Sequence, residues 1–486
     1  MSRPVPISSG APAPELPPLL RIAGPIALAQ ISQMVMGVTD SILLGGLGAD
    51  ALAIGGLSTT LFFTVMAVLQ SMLGAGGVLI AQARGRGEPA RIAPIHAMLL
   101  VLALLLCAPC LLLLSQVGPL LRLMHQPAAF AGPVSGFVHI LLWGAPPALI
   151  GTGVVDVVLP ALDAQALLLR VMPVVALVNG VLNAALIHGL FGLPRLGLAG
   201  SALATAITMW GTAATLLLMV HGRPHLRGLL WPARLRRADM GLLLRLGLPI
   251  MAGAGAEIML FEVVSLEAAS LGTHALAAHQ IVLSLGSITY MVAMALGQAA
   301  NVRVAFWTGA AQPARARHAA RVAVGTAILG MGAFGGLIWL SRARIVAFYL
   351  DPAAAANADS VRVAMGALVL AAIMQVADGA QAVLGGVLRG RGDALVPMVL
   401  AILGYWGVGF PAGWFLAFRC GLGVVGLWGG VVLALVSVAV MLGCRAAWSL
   451  GERRGDAAAT APMPRPMSPP ISSPPISSPP ISSHGP

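Results

Sequence analysis

Several side chains in this sequence could do ionic chemistry, and each is set inside an apolar run. Asp40 interrupts MVMGVTDSILLGG, and Asp378 lies in IMQVADGAQAVLGGVLRG. Glu257, Glu262 and Glu267 share LPIMAGAGAEIMLFEVVSLEAASLG, and Asp156 sits in GTGVVDVVLPALD. Asn179 and Asn183 in VNGVLNAALIHG are one helical turn apart and share one helical face. A charged carboxylate near the centre of a membrane helix costs roughly 2.5–3.5 kcal/mol on an insertion-based scale. Such a residue needs a task or a partner. A carboxylate can carry a proton, and carboxylate with amide oxygens forms a hard oxygen site suited to Na⁺. At about 100° per residue, Glu262 is rotated about 140° from Glu257 and Glu267 about 280°. The three cannot line one narrow cavity. Glu267 lies near the outer end of its run and reaches water. Glu262 must be paired, protonated or facing a cavity, where it would act as a further cation ligand or proton carrier. Asp156, near Pro160, reads equally as a helix-pairing acid or as a participant in moving charge.

The elements that carry these residues are membrane helices. The chain is 58% hydrophobic and 9% charged, with a mean hydropathy of +0.92, against about 25% charged residues in a soluble protein. Apolar runs fall near 22–44, 51–82, 94–115, 136–162, 168–190, 199–221, 241–269, 276–306, 322–341, 361–388, 395–418 and 423–444. A bilayer is crossed by about 20 apolar residues. The expected fold class is therefore an all-α polytopic membrane protein of about twelve transmembrane helices.

Net charge is +12 and the isoelectric point 11.2, but the basic residues occupy short loops, so nucleic acid is not an expected partner. All 28 basic residues are arginine, and 22 fall in the tails or after even-numbered spans. The positive-inside rule then puts both termini in the cytoplasm. The first twenty residues lack a signal-peptide core and cleavage site, so an uncleaved amino terminus is expected. Cys107 and Cys110 form CAPC inside LLLCAPCLLLL. Without a second ligand pair they read as buried apolar residues in preference to a metal or redox site. The ten histidines show no metal-binding spacing. After Cys444 the sequence turns to SPPISSPPISSPPISS, a repeat that cannot bury a core.

An internal repeat organises the chain. LGADALA at 47–53 and LGTHALA at 271–277 agree at five of seven positions, an offset of 224. At the same offset Pro25-Ile26 meets Pro249-Ile250, Ser41 meets Ser265, and Gly85 meets Gly309. Six spans separate the copies, so both run in the same direction through the membrane. Parallel six-helix repeats are a transporter architecture, and a channel or an intramembrane enzyme needs none. The expected divisions are a cytoplasmic tail (1–21), an N-terminal lobe (22–221), a basic inter-lobe loop (222–240), a C-terminal lobe (241–444) and a disordered cytoplasmic tail (445–486).

PIALAQISQMVMGVTDSILLGGLGADALA, LGTHALAAHQ and ADGAQAVLGGVLRGRGD, with FGLPRLGLAGSALATAITMW and YWGVGFPAGW, resemble the multidrug and toxic compound extrusion (MATE) family, in its NorM-type branch. The resemblance runs from about residue 20 to 445. It implies a non-enzymatic secondary transporter of the bacterial inner membrane, with two six-helix lobes around a central cavity. Such a protein exports small organic cations, drugs and dyes in exchange for H⁺ or Na⁺, uses no other cofactor, contacts membrane lipid and is expected to be a monomer. By the same resemblance Asp40 is the coupling-ion carboxylate of the first lobe. Asn179 and Asn183 are its companions as possible Na⁺ ligands, or else merely bond across helices, and Ser201 is a weaker member of that site. Glu257 and Asp378 match the acids of the second lobe. A tyrosine common one turn before the aspartate is Met374 here, which departs from the family's Na⁺ geometry. The alternative is a flippase of lipid-linked intermediates on a related fold, which a basic cavity would favour.

Overall fold

The computed structural model describes residues 14–230, 235–349, 351, 354 and 357–451. No strand occurs among them. Twelve spans emerge: α1 (Leu16–Gly45), α2 (Ala49–Gly85), α3 (Pro89–Leu123), α4 (Ala128–Ala161), α5 (Ala166–His188), α6 (Leu198–His221), α7 (Arg237–Ser270), α8 (Thr273–Gly309), α9 (Pro313–Tyr349), α10 (Ala358–Gly390), α11 (Leu395–Arg419) and α12 (Gly423–Gly451). Hydrocarbon offers no hydrogen bonds, so a spanning segment must satisfy its own backbone, and only the helix does so within one segment. α4 is the exception to straightness. It bends by 45° where Pro146 and Pro147 remove two backbone donors. Leucines such as Leu112, Leu329 and Leu340 stay exposed on the outside of the bundle, as suits a surface that faces lipid.

The helices overrun the apolar runs at both ends of the molecule, as α9, which spans Pro313–Tyr349 against the run 322–341, shows at each of its ends. α1 starts at Leu16 instead of 22, α7 at Arg237 instead of 241, and α12 continues past Cys444 to Gly451. The basic loop 222–240 holds a short helix, Pro224–Leu230. The reason is physical: a helix does not stop where the hydrocarbon stops, and hydropathy cannot see its charged ends. The Pro/Ser repeat lies outside the described residues.

The repeat is visible in the backbone. α2 and α8 start after Gly48 (φ 120°) and Gly272 (φ 101°), which are mates at the repeat offset. Only glycine enters that region without strain, which explains why LG recurs in both copies. Pro25 and Pro249 sit inside α1 and α7 at the same offset. One hydrophobic cluster combines α1–α6 with parts of α7–α10, including Ala299, Ala305 and Ala323. A second cluster belongs to α7–α12 alone, with Trp428 and Tyr405 as its largest members.

Candidate functional site

Asp40 is buried where α1 meets α5 and α6. Asn183 Nδ2 of α5 donates to Asp40 Oδ1 at 2.5 Å. Thr205 Oγ1 of α6 lies 3.5 Å from Asp40 Oδ2 and 3.1 Å from the Ser201 carbonyl. A hydroxyl has one proton, so it serves these two acceptors in alternation. Asn179 lies one turn from Asn183, is fully buried, and donates to Thr208 Oγ1 at 3.3 Å. Asp40 and Asn183 thus meet from helices that are distant in sequence, while Asn179, one turn along α5, bonds to α6 instead. Ser201 takes part only through its carbonyl. The polar contact on α6 is Thr205, one turn further on, which sequence reasoning missed because a threonine in an apolar helix carries no distinctive signal.

Two amide oxygens in this cluster, Asn179 Oδ1 and Asn183 Oδ1, are buried without a hydrogen-bond donor. The orientation of Asn183 follows from its neighbour, because a flipped amide would set oxygen against carboxylate. Unsatisfied buried carbonyl oxygens are rare. Asn183 Oδ1 belongs to the amide bonded to Asp40 and Asn179 Oδ1 lies one helical turn away; both are oxygen donors of the chemical type that hard cations take.

The second cluster joins four helices of the other half. Gln381 Nε2 of α10 lies 3.3 Å from Glu257 Oε1 of α7 and donates to the Tyr405 hydroxyl of α11 at 2.5 Å. Trp406 Nε1 donates to the Ala256 carbonyl at 3.2 Å, which fixes α11 beside the turn of α7 that carries Glu257. Asp378 is buried on α10, one turn before Gln381, and interacts electrostatically with Glu257. Tyr290 of α8 lies within the fields of both acids. Met374, where the family resemblance leads one to expect a tyrosine, is buried in the core. Arg389 of α10 lies within the field of Glu257 without forming an ion pair with it. Two carboxylates and one guanidinium carry a formal charge of −1 when all three are ionised. Gln381, Tyr405, Tyr290 and Arg389 escaped the sequence reading because nothing in their spacing links them to Glu257.

The remaining candidates stay apart from these clusters. Glu262 is exposed on the α7 face that carries Met259 and Leu266, with no hydrogen bond or ion pair among the described residues. The structure does not bring it to Glu257, as the rotation between them requires. Glu267 is half-buried near the end of α7. Asp156 is half-buried on α4 without a hydrogen-bond partner among the described residues, separate from Asp40. Cys107 and Cys110 are free and buried, their thiols against the Ala103 carbonyl and the Met66 sulfur. No group of three or more His, Cys, Asp or Glu side chains that could hold a metal occurs among the described residues.

The MatE family model matches residues 25–186 and again 249–415, two matches whose starts are separated by the repeat offset. The multidrug resistance protein NorM of Burkholderia vietnamiensis is 45% identical over 425 residues, 87% of this chain and 92% of that protein. Among solved structures, the eukaryotic MATE transporter AtDTX14 aligns with a TM-score of 0.77 at 24% identity, over 90% of this chain and 98% of that one. A transporter of the MOP superfamily from Pyrococcus furiosus, described by the reverse polarity of its binding pocket, aligns with a TM-score of 0.80 at 18% identity, over 90% and 96% of the two chains. This multi-pass chain of twelve spans therefore belongs to the MatE family, whose members are transporters and not enzymes.

Proposed function

We propose that this protein is a multidrug exporter of the inner membrane, with both termini cytoplasmic, that exchanges organic cations for H⁺ or Na⁺. The single observation that carries this reading is the sign and placement of the intramembrane charge. Each half holds a carboxylate cluster: Asp40 bonded to the Asn183 amide, and Glu257 with Asp378 in the field of Arg389. The working units are two six-helix lobes, 22–221 and 241–444, joined by the basic loop 222–240. An amphipathic cation enters between the lobes from the cytoplasm or inner leaflet, drawn by apolar walls and by the net negative charge. An external H⁺ or Na⁺ then neutralises a carboxylate, removes the drug's counter-charge and favours its release outside. A cation with the same charge as the drug competes for the same acid, so the two cannot leave together.

The driving force is adequate. One charge moving down 100 mV yields about 2.3 kcal/mol, a limit of roughly fifty-fold accumulation. When a monovalent drug exchanges for one monovalent ion the voltage term cancels, and the ion's concentration gradient alone drives export. A flippase of lipid-linked intermediates would need cationic groups to hold anionic phosphates, whereas the clustered charge within these spans is acidic. Ethidium efflux from proteoliposomes, under Na⁺ and pH gradients imposed separately, tests the proposal. One gradient should accelerate efflux, and acceleration by neither would refute it.

A further inference from the structure

The two halves meet most closely at the ends of the spans that carry the arginine clusters, and the meeting is reciprocal. Gly85 ends α2 and Gly309 ends α8, at the repeat offset of 224. A Cβ added to Gly85 would strike the Phe306 carbonyl oxygen and lie 2.9 Å from the Ala310 nitrogen. A Cβ added to Gly309 would strike the Gln82 carbonyl oxygen and lie 2.8 Å from Gln82 Cα. Gln82 and Phe306 are themselves repeat mates, so residue i touches j and j touches i, as across a two-fold axis. Ala81 and Ala305, also mates, are buried one turn before the glycines. Small residues four apart on both helices let backbones cross without side chains between them.

Two acids flank this crossing, again at the repeat offset. Glu15, before α1, is 5% exposed and reaches over to α8. Its Oε2 accepts from Arg303 Nε at 3.0 Å and Nη2 at 2.7 Å, and its Oε1 accepts from Trp307 Nε1 at 2.8 Å. Its mate Asp239, near the start of α7, is 1% exposed and accepts from Arg91 Nη2 at 2.8 Å, at the start of α3. Each half thus sends an acid into the other. Arg91 and Arg315 are mates as well, both ending a Pro-Ala-Arg triplet, and Arg315 stacks on Trp307, its guanidinium carbon 4.8 Å from the ring centroid. Gln82 Nε2 adds a further link to the Gly390 carbonyl at 3.1 Å.

We propose that Glu15–Arg303 and Asp239–Arg91 are paired latches that hold the arginine-rich face shut, and that their release around the Gly85–Gly309 crossing opens the cavity to the cytoplasm. This rests on the alternating-access reading above. No drug or coupling-ion cluster includes these residues, so they act on the equilibrium between lobes and not on binding. The latches are unequal. Glu15 accepts three donors. Asp239 Oδ2 and Arg91 Nε are buried without partners among the described residues, which leaves that pair one bond and the weaker hold. Water satisfies all these groups once the lobes part. Opening should therefore begin at Asp239.

The test uses spin-label distances in the full chain in lipid nanodiscs. Exposed Cys420 and Cys444 are replaced by serine, and buried Cys107 and Cys110 are retained. One label pair, Glu88→Cys with Ala314→Cys, reports the arginine-rich face; another, Ala49→Cys with Thr273→Cys, reports the opposite face. The isosteric Glu15→Gln and Asp239→Asn each remove a charge with little change of shape. Each should raise the ratio of long to short 88–314 distances by about tenfold, the effect of losing a hydrogen bond to a charged group, with the 49–273 pair moving the opposite way. Glu15→Asp should behave like the parent. Should a variant fold poorly, Gly309→Ala supplies the same shift by steric means. If ethidium or external pH moves both distances while the neutral variants leave them unchanged, the latch is refuted and alternating access stands. If nothing moves either distance, both fall together.

Discussion

The hydrogen bond between Asn183 and Asp40 allows a quantitative test of the first cluster. Asn183 Nδ2 donates to Asp40 Oδ1 at 2.5 Å, the shorter of the two side-chain hydrogen bonds to this carboxylate among the described residues. Thr205 is 3.5 Å away and shares its proton with the Ser201 carbonyl at 3.1 Å. A hydrogen bond to a charged group contributes about 1.5–3 kcal/mol, against about 0.5–1.5 kcal/mol between neutral groups. Asn183→Ala should therefore cost about 1.5–3 kcal/mol of folding free energy when Asp40 is charged. In an Asp40→Asn background it should cost only the neutral value. The coupling, about 1–2 kcal/mol, is read from a double-mutant cycle by equilibrium unfolding in mixed micelles at alkaline pH. A parallel measurement separates function from packing. If Asn183 holds the acid for ion exchange, Asn183→Ala should slow gradient-driven ethidium efflux at matched folded protein. Additive unfolding costs, together with unaltered efflux, would refute the account and leave Asn183 as an ordinary bond between helices.

Other expectations follow from the two clusters and the tail. Asp40→Asn should abolish gradient-driven efflux while the detergent size-exclusion profile stays that of the folded protein; a collapsed profile would assign the acid to packing instead. Glu257→Gln and Asp378→Asn should each impair efflux, and the double variant should lose little more than the worse single one, since two acids within each other's field exchange charge as a unit. Multiplicative losses in initial efflux rates, with an unchanged dependence on external pH, would show that they act independently. Truncation before Ala457 should leave efflux at parent level at equal expression, because a Pro/Ser repeat buries no core.

The sequence by itself determined the class, the spans and the acids. A carboxylate in an apolar run is conspicuous because its solvation cost has no local remedy, which marked Asp40, Asp156, Glu257, Glu262, Glu267 and Asp378 alike; the resemblance to the MATE family singled out Asp40, Glu257 and Asp378 among them. The repeat was equally legible, since the glycine that starts α2 recurs where α8 needs the same positive φ. Asn179 and Asn183 were named by the same resemblance, their one-turn spacing only setting them on one helical face. Thr205, Gln381, Tyr290 and Tyr405 were not, because amides and hydroxyls are cheap enough in a helix to occur without a purpose. Helix ends were misplaced at Leu16 and Gly451, since hydropathy measures hydrocarbon and not hydrogen bonding.

Only the tertiary structure decided the partners. Glu15 and Arg303 are 288 residues apart, and Asp239 and Arg91 are 148 apart. Read along the chain, each was one more charge in or near a basic loop or tail, with no visible partner. Packing α1 on α8 and α3 on α7 turned those charges into contacts between halves. The physical reason is that a helix fixes only what lies three or four residues away. Everything farther is set by which faces pack, and a single apolar span, hydrophobic nearly all round, does not say which face that will be.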